Sequence, residues 1–408
     1  MKGNLLFVTG CYPKEYEKFY INQSKVMPQN AANELSWRII EGLDENIPSK
    51  FNVLTTPFIG YYPRGFKRLI IRSRSWSHNG VSKDTLLGFI NIKGLETYIK
   101  SERIYKFIKK WCRENKQNRH VLIYSHYAGF LRAVGKIKKK VPDLHVTCLI
   151  TDMPELNERK DLQGFVGKIK GLPRQIMINT TYKNLGYVDS FVLLTEKMKE
   201  YLSIGEKPYI VIEGMAPYSS EKEMDPINDG IFKIVYTGTL HRKYGICNLL
   251  DAMDYLKNEN VALYVCGDGD CREEVIKRAK EEKNINYLGV LKHCEAIALQ
   301  QSASLLINPR PDFGLQTALS FPSKTMEYML VGKPVYCFKL KGIPNDYDKY
   351  LMYFSDEDPK NMAKDIRALM NLSKEELGEI GKRNYNFVRN YKNPKVQTRK
   401  ILDMLEKE

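Results

Sequence analysis

Three features of the 408-residue chain predict an α/β fold made of two Rossmann-like domains facing each other across a cleft. Short apolar runs alternate with amphipathic segments from residue 4 to 213, and the alternation restarts at Phe232. Between them, from Gly214 to Gly230, the composition shifts to Pro, Ser, Glu, Asp and Asn, as in a linker. Strand–helix alternation at this rhythm implies a parallel sheet covered on both faces, and a chain of this length exceeds one hydrophobic core. The expected division is 1–213 as a first Rossmann-like domain, 214–230 as linker and 231–385 as a second Rossmann-like domain. A C-terminal helix, 386–408, would pack back on the first domain.

In the first half the apolar runs place strands at Leu5–Thr9, Val53–Thr56, Leu86–Ile92, Val121–Ser125, Val146–Thr151, Phe191–Thr195 and Tyr209–Glu213. Helical patterns fall at Ala31–Leu43, Leu95–Asn115, Ala128–Lys138 and Glu196–Leu202. The segment Tyr61–Ser82 breaks the rhythm and reads as a long surface loop or short amphipathic piece. In the second half the strands are Phe232–Thr237, Ala262–Cys266, Ile285–Leu288, Ala303–Asn308 and a run from Val335, with helices at Cys247–Lys257, Glu273–Glu282 and Cys294–Gln301. Pro359 to the end reads as helical and charged.

Composition narrows the class. The hydrophobic fraction of 43% is ordinary for a globular protein. No apolar run reaches the roughly 18 residues that would suggest a membrane span, and the N-terminus reads as a first buried strand rather than a signal peptide. The eight cysteines form no Cys-x-x-Cys pair, which suggests reduced thiols in the cytoplasm. The net charge of +16 is concentrated: residues 51–150 hold 20 Lys and Arg against 5 Asp and Glu. Such a patch suits an anionic bilayer, a nucleic acid or an acidic substrate. No helix–turn–helix, RNA-recognition or zinc-finger pattern accompanies it, so nucleic acid is not the expected partner.

The chemistry-bearing stretch is Phe321–Val335, FPSKTMEYMLVGKPV. A Phe-Pro turn and Ser323 as expected N-cap open a short helix, Glu327 lies one turn in, and Gly332 stops it before a buried strand. A helix N-terminus seats phosphate; Lys324 adds positive charge, and Glu327 is placed to accept hydrogen bonds from ribose hydroxyls. At the end of the second half's first strand stands YTGTLHRKYGI, where Gly238 allows a tight turn and Arg242 and Lys243 can neutralise a diphosphate. VCGDGD, containing Gly267, is another glycine-rich strand-to-helix turn without the G-x-G-x-x-G spacing of a dinucleotide site. Taken singly, each of these is as readily a solvated turn; their order along the chain is what gives them weight.

Together, IVYTGTL with Lys243-Tyr244-Gly245 after it, YVCGDGD, INYLGV, LINPRP and FPSKTMEYMLVGKPV closely resemble the nucleotide-sugar half of a GT-B glycosyltransferase, specifically the retaining family four. The resemblance covers residues 230–340 by motif and the first half by architecture. It implies a hexosyltransferase using a UDP- or GDP-linked sugar, with a saccharide or lipid-linked acceptor, in capsule, exopolysaccharide or lipopolysaccharide synthesis. It implies that Glu327 holds the donor ribose, that Lys243 meets the diphosphate, and that Ser323 and Lys324 lie beside the phosphates and sugar. Gly238, Thr239, Arg242, Gly267, Leu291 and Arg310 fall in the matching donor-side segments. The sequence departs from the family twice: the first Glu of its E-x7-E motif falls at Leu319, and its Arg after the glycine is replaced by Thr239, leaving Arg242 to substitute.

In the first domain His126 follows the strand VLIYS and Asp152 follows HVTCLIT, both at carboxyl ends of strands. His126 resembles the family's histidine near the reacting sugar, although a lone His is as often structural; Asp152 can equally cap a helix. Lys243, His126 and Asp152 are thus the candidates for the chemistry. No metal or other cofactor is expected: Lys243, Arg242 and the amides near Ser323 supply the positive potential, and the expectation takes the chain to lack a metal-binding Asp-x-Asp pair. Arg64, Lys67, Arg68, Arg72 and Arg74, with Trp76 and neighbouring aromatics, are expected to meet the acceptor or an anionic membrane surface from the cytoplasmic side. The cations and aromatics at Lys106–Trp111 are assigned the same role. The alternatives are a nucleotide- or nucleic-acid-binding protein without transferase activity, or an epimerase or phosphorylase on the same fold.

Overall fold

The computed structural model describes residues 3–48, 51–153, 164–218 and 230–407. The chain forms two compact units, one of Met1–Met215 with Pro394–Glu408 and one of Ala216–Asn393. Most of the expected linker, residues 219–229, lies outside the described residues.

The first unit runs β1 (Asn4–Thr9), α1 (Glu17–Gln23), α2 (Asn30–Asn46), β2 (Phe51–Thr55), β3 (Ile70–Ile71), β4 (Arg74–Trp76), β5 (Asp84–Leu86) and β6 (Phe89–Ile90). It continues with α3 (Leu95–Glu114), β7 (Arg119–Tyr124), α4 (Ala128–Lys138), β8 (His145–Ile150), α5 (Gly164–Leu185), β9 (Ser190–Leu193), α6 (Lys197–Leu202) and β10 (Tyr209–Val211). Eight strands lie in the order β10-β9-β8-β7-β1-β2-β5-β4, all parallel except the β4–β5 edge pair. The strands at the centre are apolar throughout because helices cover both faces: Leu5, Leu6, Phe7 and Val8 of β1 are all buried. The order reverses between β1 and β7, so the loops after these two strands diverge there.

Two expectations are corrected in this unit. Leu86–Ile92 is not one strand: the chain breaks at Gly88, where a Cβ would stand 2.3 Å from the Ile71 carbonyl oxygen. Beyond it, β6 leaves the main sheet and pairs antiparallel with β3, Ile70 opposite Ile90 and Ile71 opposite Phe89. Tyr61–Ser82 is accordingly not a plain loop, since it contributes β3 and β4. Helix α5 is absent from the expected elements because Gly164, Gly167, Gly171 and Pro173 read as helix breakers.

The second unit runs β11 (Phe232–Thr237), α7 (Ile246–Asp254), β12 (Val261–Cys266), α8 (Arg272–Glu281), β13 (Ile285–Tyr287), α9 (His293–Gln301) and β14 (Leu305–Asn308). Then follow α10 (Leu315–Ala318), α11 (Ser323–Leu330), β15 (Val335–Cys337), β16 (Met352–Tyr353), α12 (Pro359–Met370) and α13 (Lys374–Tyr391). Its six parallel strands lie in the order β13-β12-β11-β14-β15-β16, with the reversal between β11 and β14. One continuous apolar core runs under the sheet and helices, from Ile234 and Leu263 to Ile366 and Val388.

The last helix, α14 (Pro394–Glu406), belongs to the first unit. The boundary before it falls after Asn393, eight residues past the expected 385/386 division, because α13 continues unbroken to Tyr391. Helix α14 lies against α2: a Cβ at Gly42 would stand 2.3 Å from the Pro394 carbonyl oxygen, and Asn46 Nδ2 donates to Thr398 Oγ1 at 2.9 Å.

Candidate active site

In the second unit the loops after β11, β12 and β14 and the start of α11 carry the candidate donor residues. The turn after β11 is held against the turn after β12 by backbone. Gly238 N–H donates to the Cys266 carbonyl at 2.9 Å, and Leu240 N–H donates to the Asp268 carbonyl at 2.9 Å. Only glycine fits at 267, where a Cβ would stand 1.7 Å from the Gly238 carbonyl oxygen. Gly245 is constrained the same way, with φ +75° and the Pro309 carbonyl oxygen 1.9 Å from its absent Cβ. The segments around Gly238, Gly267 and Pro309 are therefore interlocked, which explains why glycines recur in motifs so far apart in sequence.

Asp270, which sequence reading passed over, fixes Arg242: its Oδ1 accepts from the Arg242 backbone N–H at 2.8 Å. That bond is the main cause holding the Asp270 carboxyl below its ordinary range. Arg242 and Lys243 are both exposed, and Lys243 Nζ lies 5.4 Å from the Tyr244 ring centroid. Thr239 is exposed and Leu291, in the loop between β13 and α9, is half-buried. Asp-x-Asp spacings do occur, at Asp346 and Asp348, at Asp356 and Asp358 and, in the β12 turn, at Asp268 and Asp270, which corrects the expectation that the chain lacks one; the last of these lies by the candidate site. Its carboxylates serve the turn: Asp268 Oδ1 accepts from Gly269 N–H at 2.9 Å, as Asp270 does from Arg242. Among the described residues no cluster of three or more His, Cys, Asp and Glu side chains is arranged to hold a metal ion.

Helix α11 starts one residue earlier than the capping expectation. Ser323 is its first helical residue, Pro322 occupies the N-cap, and no side chain caps the helix. A Ser hydroxyl at the first helical position cannot turn back onto the amides it would have capped. One turn on, Lys324 Nζ and Glu327 Oε2 are 2.6 Å apart, with half of the Glu327 side chain exposed. Gly332 ends the helix with φ +79°, as expected for a C′ residue. Lys324 also approaches the β11 turn, its Cε 3.9 Å from the position of a Cβ at Gly238.

Arg310 follows β14 and is largely shielded from solvent. Its Nη2 lies 3.4 Å from Ser320 Oγ, and its guanidinium carbon stands 5.5 Å from the Tyr244 ring centroid. Leu319, where the resembling family has a carboxylate, is buried.

In the first unit the loops after β1, β2 and β7 come together. His126 is buried and follows Ser125, whose φ of +71° is uncommon for a residue with a side chain. Asp152 is exposed at the end of β8. The space over Gly10 is filled by the Phe58 ring, which approaches a Cβ position there to 2.2 Å. Phe58 in turn stacks on Phe130 at 5.7 Å and meets Tyr127 edge-on at 5.6 Å. Beneath Tyr127 lies a buried group that sequence reading missed. The Tyr127 hydroxyl donates to Glu96 at 2.8 Å, and Lys100 Nζ pairs with Glu96 at 3.1 Å while facing the Phe89 ring at 4.1 Å. Burial pushes the Lys100 amine below its ordinary pKa and Glu96 opposes the shift. An i, i+4 Glu–Lys pair on a helix ordinarily signals a solvated face, which is why nothing in the sequence marked it.

The basic stretch divides by exposure. Arg64, Lys67, Arg68, Arg72 and Arg74 are exposed. Trp76 is not available to a membrane or acceptor: it is 7% exposed and packs edge-on against Trp37 at 5.8 Å. Phe66 and Trp111 are buried as well. Apolar residues that do reach solvent include Ile70 (63%) and Ile90 (40%) on the β3–β6 ribbon, Leu69 and Ile92 flanking it, and Val81, with Tyr61 and Tyr62 also exposed. No helix among the described residues is long and apolar enough to cross a membrane.

Comparison with known proteins agrees with this architecture. Residues 231–371 match the family Glycosyl transferases group 1. No curated protein matches the chain by sequence. Its fold is similar to that of the lipopolysaccharide outer core galactosyltransferase WaaB (TM-score 0.62, 12% identity, 99% of each chain covered). It is also similar to a glycosyltransferase from Rickettsia africae (0.63, 12%, 100% of this chain and 99% of that one). Anabaena HepE, solved in complex with UDP, aligns at 0.57 and 12% over 99% of this chain and 100% of its own. The fold is GT-B, and within the second unit residues 231–371 are the part that matches the glycosyltransferase group 1 family. The chain is accordingly a glycosyltransferase.

Proposed function

We propose that the chain transfers a hexose, with retention of anomeric configuration, from a UDP- or GDP-linked donor to a lipid-linked acceptor in the synthesis of a bacterial surface polysaccharide. The observation that carries this reading is the interlocking of the β11, β12 and β14 loops with the uncapped start of α11. They bring Lys243, Arg242, Lys324 and Glu327 to the carboxyl ends of the second sheet. Such an arrangement suits a nucleoside diphosphate: cations and helix amides for the phosphates, and a carboxylate for the ribose hydroxyls. That HepE was solved with UDP supports the nucleotide class.

Breaking the anomeric C–O bond passes through an oxocarbenium-like transition state while negative charge grows on the diphosphate. Lys243 and Arg242, with the α11 amides, would stabilise that charge in place, the term on which such catalysis mostly rests. His126 and Asp152, at the strand ends of the first unit, are the proposed groups on the acceptor side. The departing phosphate would take the acceptor proton, so no protein nucleophile is required. On this reading turnover persists in EDTA; a strict need for Mg²⁺ or Mn²⁺ would overturn the role given to the cations.

The protein is further proposed to work on the cytoplasmic membrane face. The β3–β6 ribbon supports this: Ile70 and Ile90 face each other on its exposed side, among Arg64, Lys67, Arg68 and Arg72. Exposed aliphatics ringed by arginines suit an anionic bilayer surface. The deciding experiment is nucleotide release from a panel of sugar nucleotides with and without polyprenyl-linked saccharide acceptors. Acceptor-dependent release supports a transferase, whereas release without acceptor, or interconversion of donors, points to another enzyme on this fold.

A further inference from the structure

We infer that Arg310 is the seat of an oxyanion carried by the donor; the inference rests on the donor reading above. Its surroundings are unlike those of the other shielded arginine in this unit. Arg278, with 12% of its side chain exposed, is paired with three carboxylates, those of Asp251, Asp254 and Glu282. Arg310 forms no ion pair with any carboxylate among the described residues, and its Nε is shut off from solvent without a hydrogen-bond partner. The contact to Ser320 Oγ at 3.4 Å is longer than a good N–H···O bond. A shielded guanidinium with unused donors is costly unless something anionic meets it. Burial holds its pKa below the ordinary arginine range, with Tyr244 opposing.

The position is held from both sides. Pro309 and Pro311 flank Arg310, and Gly245 packs on both prolines, so the side chain is carried by a loop locked to the Arg242–Tyr244 turn. The Tyr244 ring lies against two cations, Lys243 Nζ at 5.4 Å and the Arg310 guanidinium at 5.5 Å. Ser320 stands three residues before the first residue of α11. An anion at Arg310 would thus sit beside the proposed phosphate cations. A guanidinium favours a pair of oxygens on one centre, which a donor offers either as a phosphoryl group or as a carboxylate on the transferred sugar.

The test is titration calorimetry of the full chain and its Arg310→Gln and Arg310→Lys variants with UDP, UDP-hexoses and UDP-hexuronates, together with apo melting curves. The expected result is at least a ten-fold loss of affinity in Arg310→Gln with an unchanged or raised apo Tm, since no ion pair is lost and only the long Ser320 contact and the Tyr244 ring contact are given up. Equal loss for UDP and every sugar nucleotide assigns the oxyanion to the diphosphate; loss confined to uronates assigns it to a sugar carboxylate. Wild-type affinities throughout, or a lowered apo Tm with unchanged affinity, would overturn the inference. Should the wild type bind no nucleotide, the donor reading fails separately. Pyrophosphate and glucuronate then serve as probes: protection of the wild type but not of Arg310→Gln supports the anion seat, and equal behaviour refutes it. Ser320→Ala provides a milder variant should Arg310→Gln not fold.

Discussion

The Tyr328 hydroxyl occupies the end of β11, donating to the Thr237 carbonyl at 3.0 Å and accepting from the Thr237 N–H at 2.8 Å. One fully buried phenol thus closes the last open backbone pair of the strand that leads into Gly238, and it comes from the helix that carries Lys324 and Glu327. Tyr328→Phe keeps the ring but leaves the Thr237 N–H buried without that partner, which should cost about 1–3 kcal/mol. The loss would appear as a lower denaturant midpoint at unchanged m-value. An unaltered midpoint would show that the hydroxyl contributes nothing to the join.

Glu327 has a different signature. Its pair with Lys324 is half exposed, and such pairs contribute little to stability. Glu327→Gln should therefore leave unfolding within about 0.5 kcal/mol of the parent. Nucleotide-sugar affinity should fall about ten- to a hundred-fold, as for the loss of a charged hydrogen-bond acceptor worth about 1.5–3 kcal/mol. Undiminished donor affinity in the folded variant would remove the ribose assignment.

The ribbon separates two sources of membrane affinity. Flotation with anionic vesicles should fall when Ile70 and Ile90 are both replaced by Ser. It should vanish when Arg64, Lys67, Arg68, Arg72 and Arg74 are neutralised, since each basic residue near the surface contributes about 1 kcal/mol. Neutral vesicles should not carry the protein. Parent-like flotation of both variants would exclude this face.

A pH effect is expected from the His120–His145 pair, whose rings lie 5.4 Å apart on neighbouring strands. Burial first, and the neighbouring His145 second, push the His120 pKa from 6.5 down to about 4. Between those values the unfolded chain binds a proton that the folded chain refuses, so stability falls as pH drops from about 6.5 towards 4. His120→Asn should flatten that slope in urea titrations at several pH values. Identical slopes in parent and variant would place the acid sensitivity elsewhere.

Much of the second unit was legible because its strands are short, apolar and separated by glycine turns, and because the five motifs stand in order. What was not legible depended on contacts distant in sequence. Trp76 and Ile70 both sit in a basic, aromatic stretch, yet pairing with Trp37 buries one while the β3–β6 register exposes the other. The Glu96–Lys100–Tyr127 group likewise needs α3 to be folded against the loop after β7 before it is buried at all. Ser323 shows a finer limit, since a one-residue shift in a helix start changes a capping side chain into an uninvolved one.

Because α14 belongs to the first unit, that unit is not finished when residue 215 is made. During synthesis the N-terminal segment would emerge with the α2 surface around Gly42 and Asn46 uncovered until residues 394–408 arrive. The second unit, in contrast, is contiguous from Ala216 to Asn393 and can fold as soon as it is complete. Synthesis of residues 394–408, rather than passage of the first half, is then the step that allows the first unit to close. Excision follows the same logic: residues 216–393 make a self-contained fragment, whereas 1–215 needs α14 attached to be more than a partial fold.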